Sequence, residues 1–217
     1  MMLNRKILLA VMMGLFTVTS SASVIVSQDP LSGGDGLISQ FDGGQVADNF
    51  TLAADVELTG ITWWGSYEGS PIGNQDFKVR LFSDVAGSPD TSWFNEYSYN
   101  GIGVDSGMDD LFGADIFQYD LSIASLSLTA GSYYISVVHD DIATDVNSLI
   151  DWYWLESASG DNWARGIDGQ SWNLQLANID LAYRLTGEVA SVPEPATLTL
   201  MLLPLGLIMA RRFQTKK

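Results

Sequence analysis

The residues of this chain that could do chemistry are few in kind. Among 217 residues there is one histidine, His139, and no cysteine. That composition excludes a thiolate or multi-histidine zinc site and a cysteine nucleophile. His139 stands in Val138-His139-Asp140-Asp141, where an acid could orient an imidazole toward a serine. No Gly-x-Ser-x-Gly elbow accompanies it, and a strand-end histidine leading into an acidic loop accounts for the same residues. Carboxylates are abundant, with 26 Asp and Glu against 10 Lys and Arg and a net charge of −16. So many acids meet a glycosidase's separation requirement by chance, and their number identifies no hydrolase. The chain is therefore read as a non-enzyme with no catalytic residue. Its charge also sets it against nucleic acid, which demands clustered Lys and Arg.

Two kinds of binding chemistry remain. Hard cations want converging oxygens. Asp105, Asp109, Asp110 and Asp115 form one acid-rich stretch, and Asp140, Asp141 and Asp145 form another. Neither has EF-hand spacing. A merely solubilising acidic surface accounts for them, with a structural calcium ion as the alternative; no other cofactor is implied. The second chemistry is aromatic. Seven tryptophans are many for one domain, and sugar faces stack on exposed rings while nearby oxygens bond the hydroxyls. Trp163, flanked by Asp161, Asn162 and Arg165, is the leading candidate platform, followed by Trp172 beside Ser171 and Asn173. In Asp151-Trp152-Tyr153-Trp154, alternation puts Trp152 and Trp154 on one face and Tyr153 on the other. Each ring is either a platform or core packing.

The elements that must position these residues are strands. Between Ser23 and Ser191 there is no amphipathic helical pattern. Short β-branched and aromatic runs alternate with Gly, Asp, Asn, Ser and Pro. The expected strands are Ser23–Ser27, Gln45–Leu52, Val56–Trp64, Asp76–Phe82, Trp93–Tyr99, Ile116–Leu121, Ser132–His139, Leu149–Leu155 and Leu181–Val189. Asp105–Asp115 reads as a long loop. Lys78 and Arg80, two apart, read as outward-facing, and Arg184 as paired with a neighbouring acid. The pattern predicts an antiparallel, jelly-roll-like β-sandwich over residues 23–191.

The two ends differ in charge from this body. Residues 1–22 carry +2 and residues 192–217 carry +3, while the body carries −21. Residues 1–22 have the order of a secretory signal peptide: Arg5-Lys6, an apolar run from Ile7 to Val18, then Ser20-Ser21-Ala22, with cleavage expected after Ala22. The C-terminal segment begins Val192-Pro193-Glu194-Pro195. An apolar run from Ala196 to Ala210 follows, then Arg211-Arg212 and Lys216-Lys217. As a helix that run would be about 22 Å long against a hydrocarbon core of about 30 Å. A short transmembrane helix with its basic end in the cytoplasm is the expectation.

This order of Pro-Glu-Pro, apolar segment and basic cluster resembles the PEP-CTERM sorting tail of Gram-negative bacteria. The body also resembles β-rich domains found in front of such tails, through Val46-Ala47-Asp48-Asn49-Phe50, Ile61-Thr62-Trp63-Trp64-Gly65, Phe77-Lys78-Val79-Arg80-Leu81-Phe82 and Leu181-Ala182-Tyr183-Arg184-Leu185. The resemblance implies a recognition site at Val192, Pro193, Glu194 and Pro195 for an exosortase-like enzyme. It implies an inner-membrane stage with a periplasmic body, then a cell-surface or extracellular location. It further implies a role in exopolysaccharide or biofilm matrix. A carbohydrate-binding module with a defined sugar site is the alternative expectation, and an unassigned hydrolase the third.

Overall fold

The computed structural model of the protein describes residues 22–140, 150–158, 160–174 and 179–190. These residues form thirteen strands in two antiparallel sheets, and among them there is no helix. The architecture is a β-sandwich. The expected N-terminal signal helix and C-terminal transmembrane helix fall outside the described residues.

The first sheet is organised by β4 (Val56–Tyr67). One of its edges pairs with β8 (Asp115–Leu128), which in turn carries β7 (Val104–Asp109). The other edge is divided. β13 (Tyr183–Val189) takes Val56 to Trp63, and β10 (Trp152–Leu155) takes Gly65 to Tyr67. β1 (Ser23–Gln28) lies outside β13, and β2 (Gly36–Ile38) lies outside β10. Two different ends are therefore built along one strand. Both described chain ends lie at the Val56 end, where Ser23 pairs with Gly187 and Val189 with Val56. The Tyr67 end is closed by β2, β10 and the β7–β8 turn.

The second sheet runs β12 (Asn173–Leu174), β11 (Asn162–Arg165), β3 (Gln45–Leu52), β9 (Gly131–His139), β5 (Gln75–Ser83) and β6 (Asn95–Gly101). Period-two alternation sends Val46, Phe50 and Leu52 of β3 and Phe77, Val79 and Leu81 of β5 inward, against Leu58, Ile61 and Trp63 of β4. Trp63 stacks on Tyr119 at 5.4 Å, and Phe77 meets Trp152 edge-on at 4.8 Å. Gly65 permits this packing, because a Cβ there would lie 2.5 Å from the Trp152 ring. His139, fully buried at the end of β9, sits between the rings of Tyr67 and Phe77. It is an interior aromatic residue at a strand end.

The outer face of the second sheet is covered as well. Ala47, Phe82, Tyr134 and Trp172 form a separate buried cluster with Trp93 and Trp163. This changes the reading of Arg80. It does project outward from β5, but the cover leaves it 1% exposed, beneath the Trp93 ring at 4.2 Å. Arg165 lies beside it, 4.4 Å from the Trp172 ring. Asp168 ion-pairs with both guanidinium groups, and Glu96 with Arg80.

All nine expected strands are present; Gln45–Leu52 keeps its bounds, the others shift, and Leu149 of the Leu149–Leu155 expectation lies outside the described residues. β8 extends seven residues past Leu121, because its pairing with β4 resumes after an irregularity between Leu58 and Gly60 and runs on to Val56. β2, β7, β11 and β12 add to them. The long loop expected over Asp105–Asp115 is instead β7, a turn, and the first residue of β8. Its Asp, Ser and Gly composition is poor for a strand in isolation. Pairing with the longer β8 imposes the extended conformation on an exposed edge.

Candidate functional site: an acidic aromatic cleft

At the Tyr67 end of the first sheet lies an open cleft of about 460 Å3, adjoined by a second of about 350 Å3 that shares Tyr67, Glu68, Gly113 and Ala114. Register builds its floor. Tyr153 of β10 pairs with Ser66 of β4, so its ring leaves the sheet on the face opposite Trp152 and Trp154. The β7–β8 turn builds one wall. Asp110 organises that turn, its Oδ1 accepting from the N–H of Phe112 and of Ala114 at 2.9 Å each. Its Oδ2 accepts from the Ser66 hydroxyl at 2.7 Å, fixing the turn to β4. Gly113 has φ +81°, a left-handed conformation glycine adopts without strain. The result pushes Phe112 outward, 83% exposed.

The opposite wall is the segment before β2. The Asp35 N–H donates to Glu156 Oε1 at 2.8 Å, and the Glu156 N–H donates to the Asp35 carbonyl at 2.8 Å. The two walls are joined by Gly33 N–H to Asp109 O at 2.7 Å and Leu111 N–H to Gly34 O at 2.9 Å. The cleft is thus held by backbone and capping hydrogen bonds on every side.

Its electrostatics are one-signed. Asp35, Glu68, Asp110 and Asp115 line the two cavities, and among the described residues no Lys, Arg or His does. Burial, followed by the charges of Asp151, Glu68, Asp35 and Asp110, pushes the Tyr153 phenol above its ordinary value. It remains a neutral hydroxyl able to donate and to accept. The cleft therefore offers two aromatic surfaces, one phenol and several carboxylate oxygens, a set suited to polyhydroxylated ligands.

The tryptophans expected to form a platform lie elsewhere. Trp152 and Trp154 are completely buried between the sheets, and Trp154 Nε1 donates to the Ala182 carbonyl at 2.8 Å. Neither presents a face to solvent. Trp172 is only 7% exposed, with Nε1 donating to the Asp90 carbonyl at 2.9 Å and its ring under Arg165. Trp163 is half-buried on the outer face of the second sheet, edge-on to Tyr134. The four rings form no common surface, because Trp152 and Trp154 pack between the sheets while Trp163 and Trp172 belong to the outer face of the second.

The carboxylates expected to hold a metal also separate. Asp105 caps the Gly107 N–H at 2.7 Å, Asp109 pairs in register with Asp115, and Asp110 is the turn organiser. Asp140 forms an ion pair with Lys78 at 3.4 Å. Among the described residues no three His, Cys, Asp or Glu side chains gather as a metal site. Strand pairing sets Asp109 opposite Asp115, while Asp105 and Asp110 are taken up by hydrogen bonds to backbone N–H groups of their own turns. Asp141, Asp145 and the Val192–Pro195 motif lie outside the described residues. Ala22 is exposed immediately before β1.

Sequence reasoning passed over Asp35, Glu68 and Phe112. The available signal was alternation in Trp152-Tyr153-Trp154, which singles out Tyr153 once its neighbours are assigned to the core. Phe112 lies in a stretch whose acids dominate its appearance.

Residues 26–112 of the chain match a domain of unknown function, DUF7901. The matched stretch includes Asp35, Tyr67, Glu68, Asp110 and Phe112 and ends at the cleft wall. No curated protein matches the chain in sequence. Among solved structures, the cysteine protease and lectin-like domains of Cwp84, a surface layer associated protein of Clostridium difficile, align at 12% identity with a TM-score of 0.47. That alignment covers 69% of this chain and 33% of the other, so the chain spans about a third of that structure's length.

Proposed function

We propose that this protein is an exported glycan-binding protein of the cell surface or extracellular matrix, and that the cleft at the Tyr67 end is its binding site. The observation that carries this reading is the Phe112 ring, held out at 83% exposure by a hydrogen-bonded turn, above a cleft shared with Tyr153 and four carboxylates. The ring and the carboxylate oxygens together suit a sugar. Export and sorting are supported by the signal-like residues 1–22 and by the Pro193-Glu194-Pro195 tail with its apolar run and basic end. An exosortase-like enzyme is the partner this tail suits, with an inner-membrane stage before release. The strand layout favours display. Val56 and Tyr67 lie at opposite ends of β4, roughly 35 Å apart at the rise of an extended strand. A tail leaving after Val189 therefore starts at the end remote from the cleft.

The test is co-sedimentation of the full chain, in detergent micelles, with extracellular polysaccharide from the producing cells. Saturable retention that Phe112→Ala weakens supports the reading, and retention unchanged in that variant contradicts it. For sorting, Pro193→Ala with Pro195→Ala should hold the protein in the inner-membrane fraction. Unaltered release would remove the sorting half of the proposal.

A further inference from the structure

Among the described residues five strands stand at sheet edges: β1, β2 and β7 in the first sheet, β6 and β12 in the second. An edge strand offers unpaired N–H and C=O groups to other chains, and folded proteins blunt such edges with shortness, irregularity, proline or lysine. Four of these edges are blunted. β2 has three residues and β12 has two. β1 shifts register between Val24 and Val26, and β7 between Asp105 and Asp109. β6 differs from them all. It has seven residues, no proline or lysine, and an unbroken register with β5 from Gln75–Gly101 to Leu81–Asn95. Its one charged side chain, Glu96, is taken up by Arg80 at 2.7 Å. We infer that the free edge of β6 pairs antiparallel with β6 of a second copy of this chain, about a two-fold axis at Ser98.

The alternation of hydrogen bonds across the sheet fixes which groups are free. The Asp140 N–H donates to the Asp76 carbonyl at 2.8 Å, so the even-numbered residues of β5 bond toward β9. The odd-numbered ones bond toward β6, where Phe77 meets Tyr99 and Val79 meets Tyr97. Glu96, Ser98 and Asn100 therefore turn their backbone N–H and C=O groups away from β5. No other strand pairs with them among the described residues. Ser98 and Asn100 are exposed.

The sequence about Ser98 is self-complementary. A two-fold axis there sets Ser98 opposite Ser98, Tyr97 opposite Tyr99, and Glu96 opposite Asn100 in both senses. The Ser98 pair and both Glu96–Asn100 pairs then fall at hydrogen-bonded positions, as the outward-facing groups require. No like charges face each other. The Asn100 amide gives one N–H to Asp76 and has a second for the partner's Glu96. Phe94 and Ile102 lie at equal distances on either side of Ser98 and are 42% and 65% exposed. The same axis brings each Phe94 opposite the partner's Ile102, covering apolar side chains that a single copy leaves in water. One strand a side is a small interface, which sets the affinity at roughly micromolar.

The test uses the full chain in neutral detergent at about 0.15 M salt, where screening over about 8 Å limits repulsion between two acidic bodies. Light scattering across a dilution series should show a dimer at roughly 100 μM that dissociates near roughly 1 μM. Ser98→Glu puts like charges opposite each other at the axis. Lys78, whose Nζ lies 3.1 Å from the Ser98 hydroxyl, gives the new carboxylate a partner within its own chain. This variant should weaken dimerisation by about fivefold or more at an unchanged unfolding midpoint. The chain has no cysteine, so single cysteines report the register. Ser98→Cys should cross-link under mild oxidant, because directly opposed Cα atoms lie about 5.5 Å apart. Asn100→Cys should not, because its two copies would lie about 14 Å apart along the strands. Should Ser98→Glu fail to fold, the two cysteine variants decide. A parent chain that stays monomeric at the highest concentration overturns the inference. A dimer that Ser98→Glu leaves intact also overturns it, since association would then run through the tail or another surface. Cross-linking at position 100 as fast as at position 98 overturns the axis.

Discussion

The outer face of the second sheet and the cleft at the end of the first use the same ingredients, aromatic rings and charged side chains, to opposite effect. On the second sheet the charges close upon each other. Arg80 and Arg165 are buried under Trp93 and Trp172, and Gln45, Glu96, Asp168 and the Thr91 carbonyl accept their N–H groups. In the cleft, Glu68 and Asp115 face no cation among the described residues, and Phe112 remains in water. An aromatic-rich, charge-rich region is structural when every charge is matched, and it is available to a ligand when the charges are left over. The difference lies in matching, not composition, so a count of tryptophans does not by itself distinguish the two regions.

Substitutions should separate the two regions sharply. Trp172→Ala removes the ring that covers Arg165 and packs against Phe82, so denaturant unfolding should show a loss of about 3–5 kcal/mol. Arg80→Met should cost about 3 kcal/mol, at the low end for a broken buried pair. Its partners Glu96 and Asp168 are 29% and 32% exposed and regain some solvation. If either variant unfolds at the parent's denaturant midpoint, the second sheet's cover is not the structural unit described here. Phe112→Ala, by contrast, should leave the midpoint within about 0.5 kcal/mol of the parent. A large destabilisation there would make Phe112 a packing residue and remove its role as a platform.

The smallest effect concerns pH. Asp48 faces inward from β3, with its carboxylate accepting from the N–H of Leu181 and of Asn49. Burial holds its carboxyl well above the usual carboxylate range, and the Leu181 hydrogen bond offsets only part of that shift. The folded state therefore binds this proton more readily than the unfolded chain does. The resulting stability is full below the ordinary carboxylate pKa and is lost as pH rises through the raised one. Thermal melts of the parent and Asp48→Asn across this range should show the parent's advantage shrinking as pH rises. A difference independent of pH would place Asp48 outside this linkage.

Much of the fold was legible because each expected strand had a two-residue period and a turn signal on either side. Phe77-Lys78-Val79-Arg80-Leu81 is the clearest instance, and all its apolar members are buried. What escaped were strands made by their neighbours. β7 and β12 owe their conformation to β8 and β11, and the local sequence offers nothing to announce them. The site was less legible than the fold. Tyr153 could be oriented by alternation, but its meeting with Phe112 and Glu68 joins positions far apart in the chain. Only the register of β10 against β4, and the Ser66–Asp110 bond, bring them together. The burial of Arg80 was hidden for a similar reason, since the residues that cover it belong to two separate loops.

The most direct measurement sets the two regions against each other in one binding experiment. The full chain, Phe112→Ala and Trp163→Ala are each titrated with extracellular polysaccharide from the producing cells, with unfolding midpoints measured on the same samples. The account predicts that Phe112→Ala weakens binding about tenfold or more at unchanged stability, while Trp163→Ala binds as the parent does. Binding lost in Trp163→Ala and retained in Phe112→Ala would contradict it and move the site to the outer face of the second sheet.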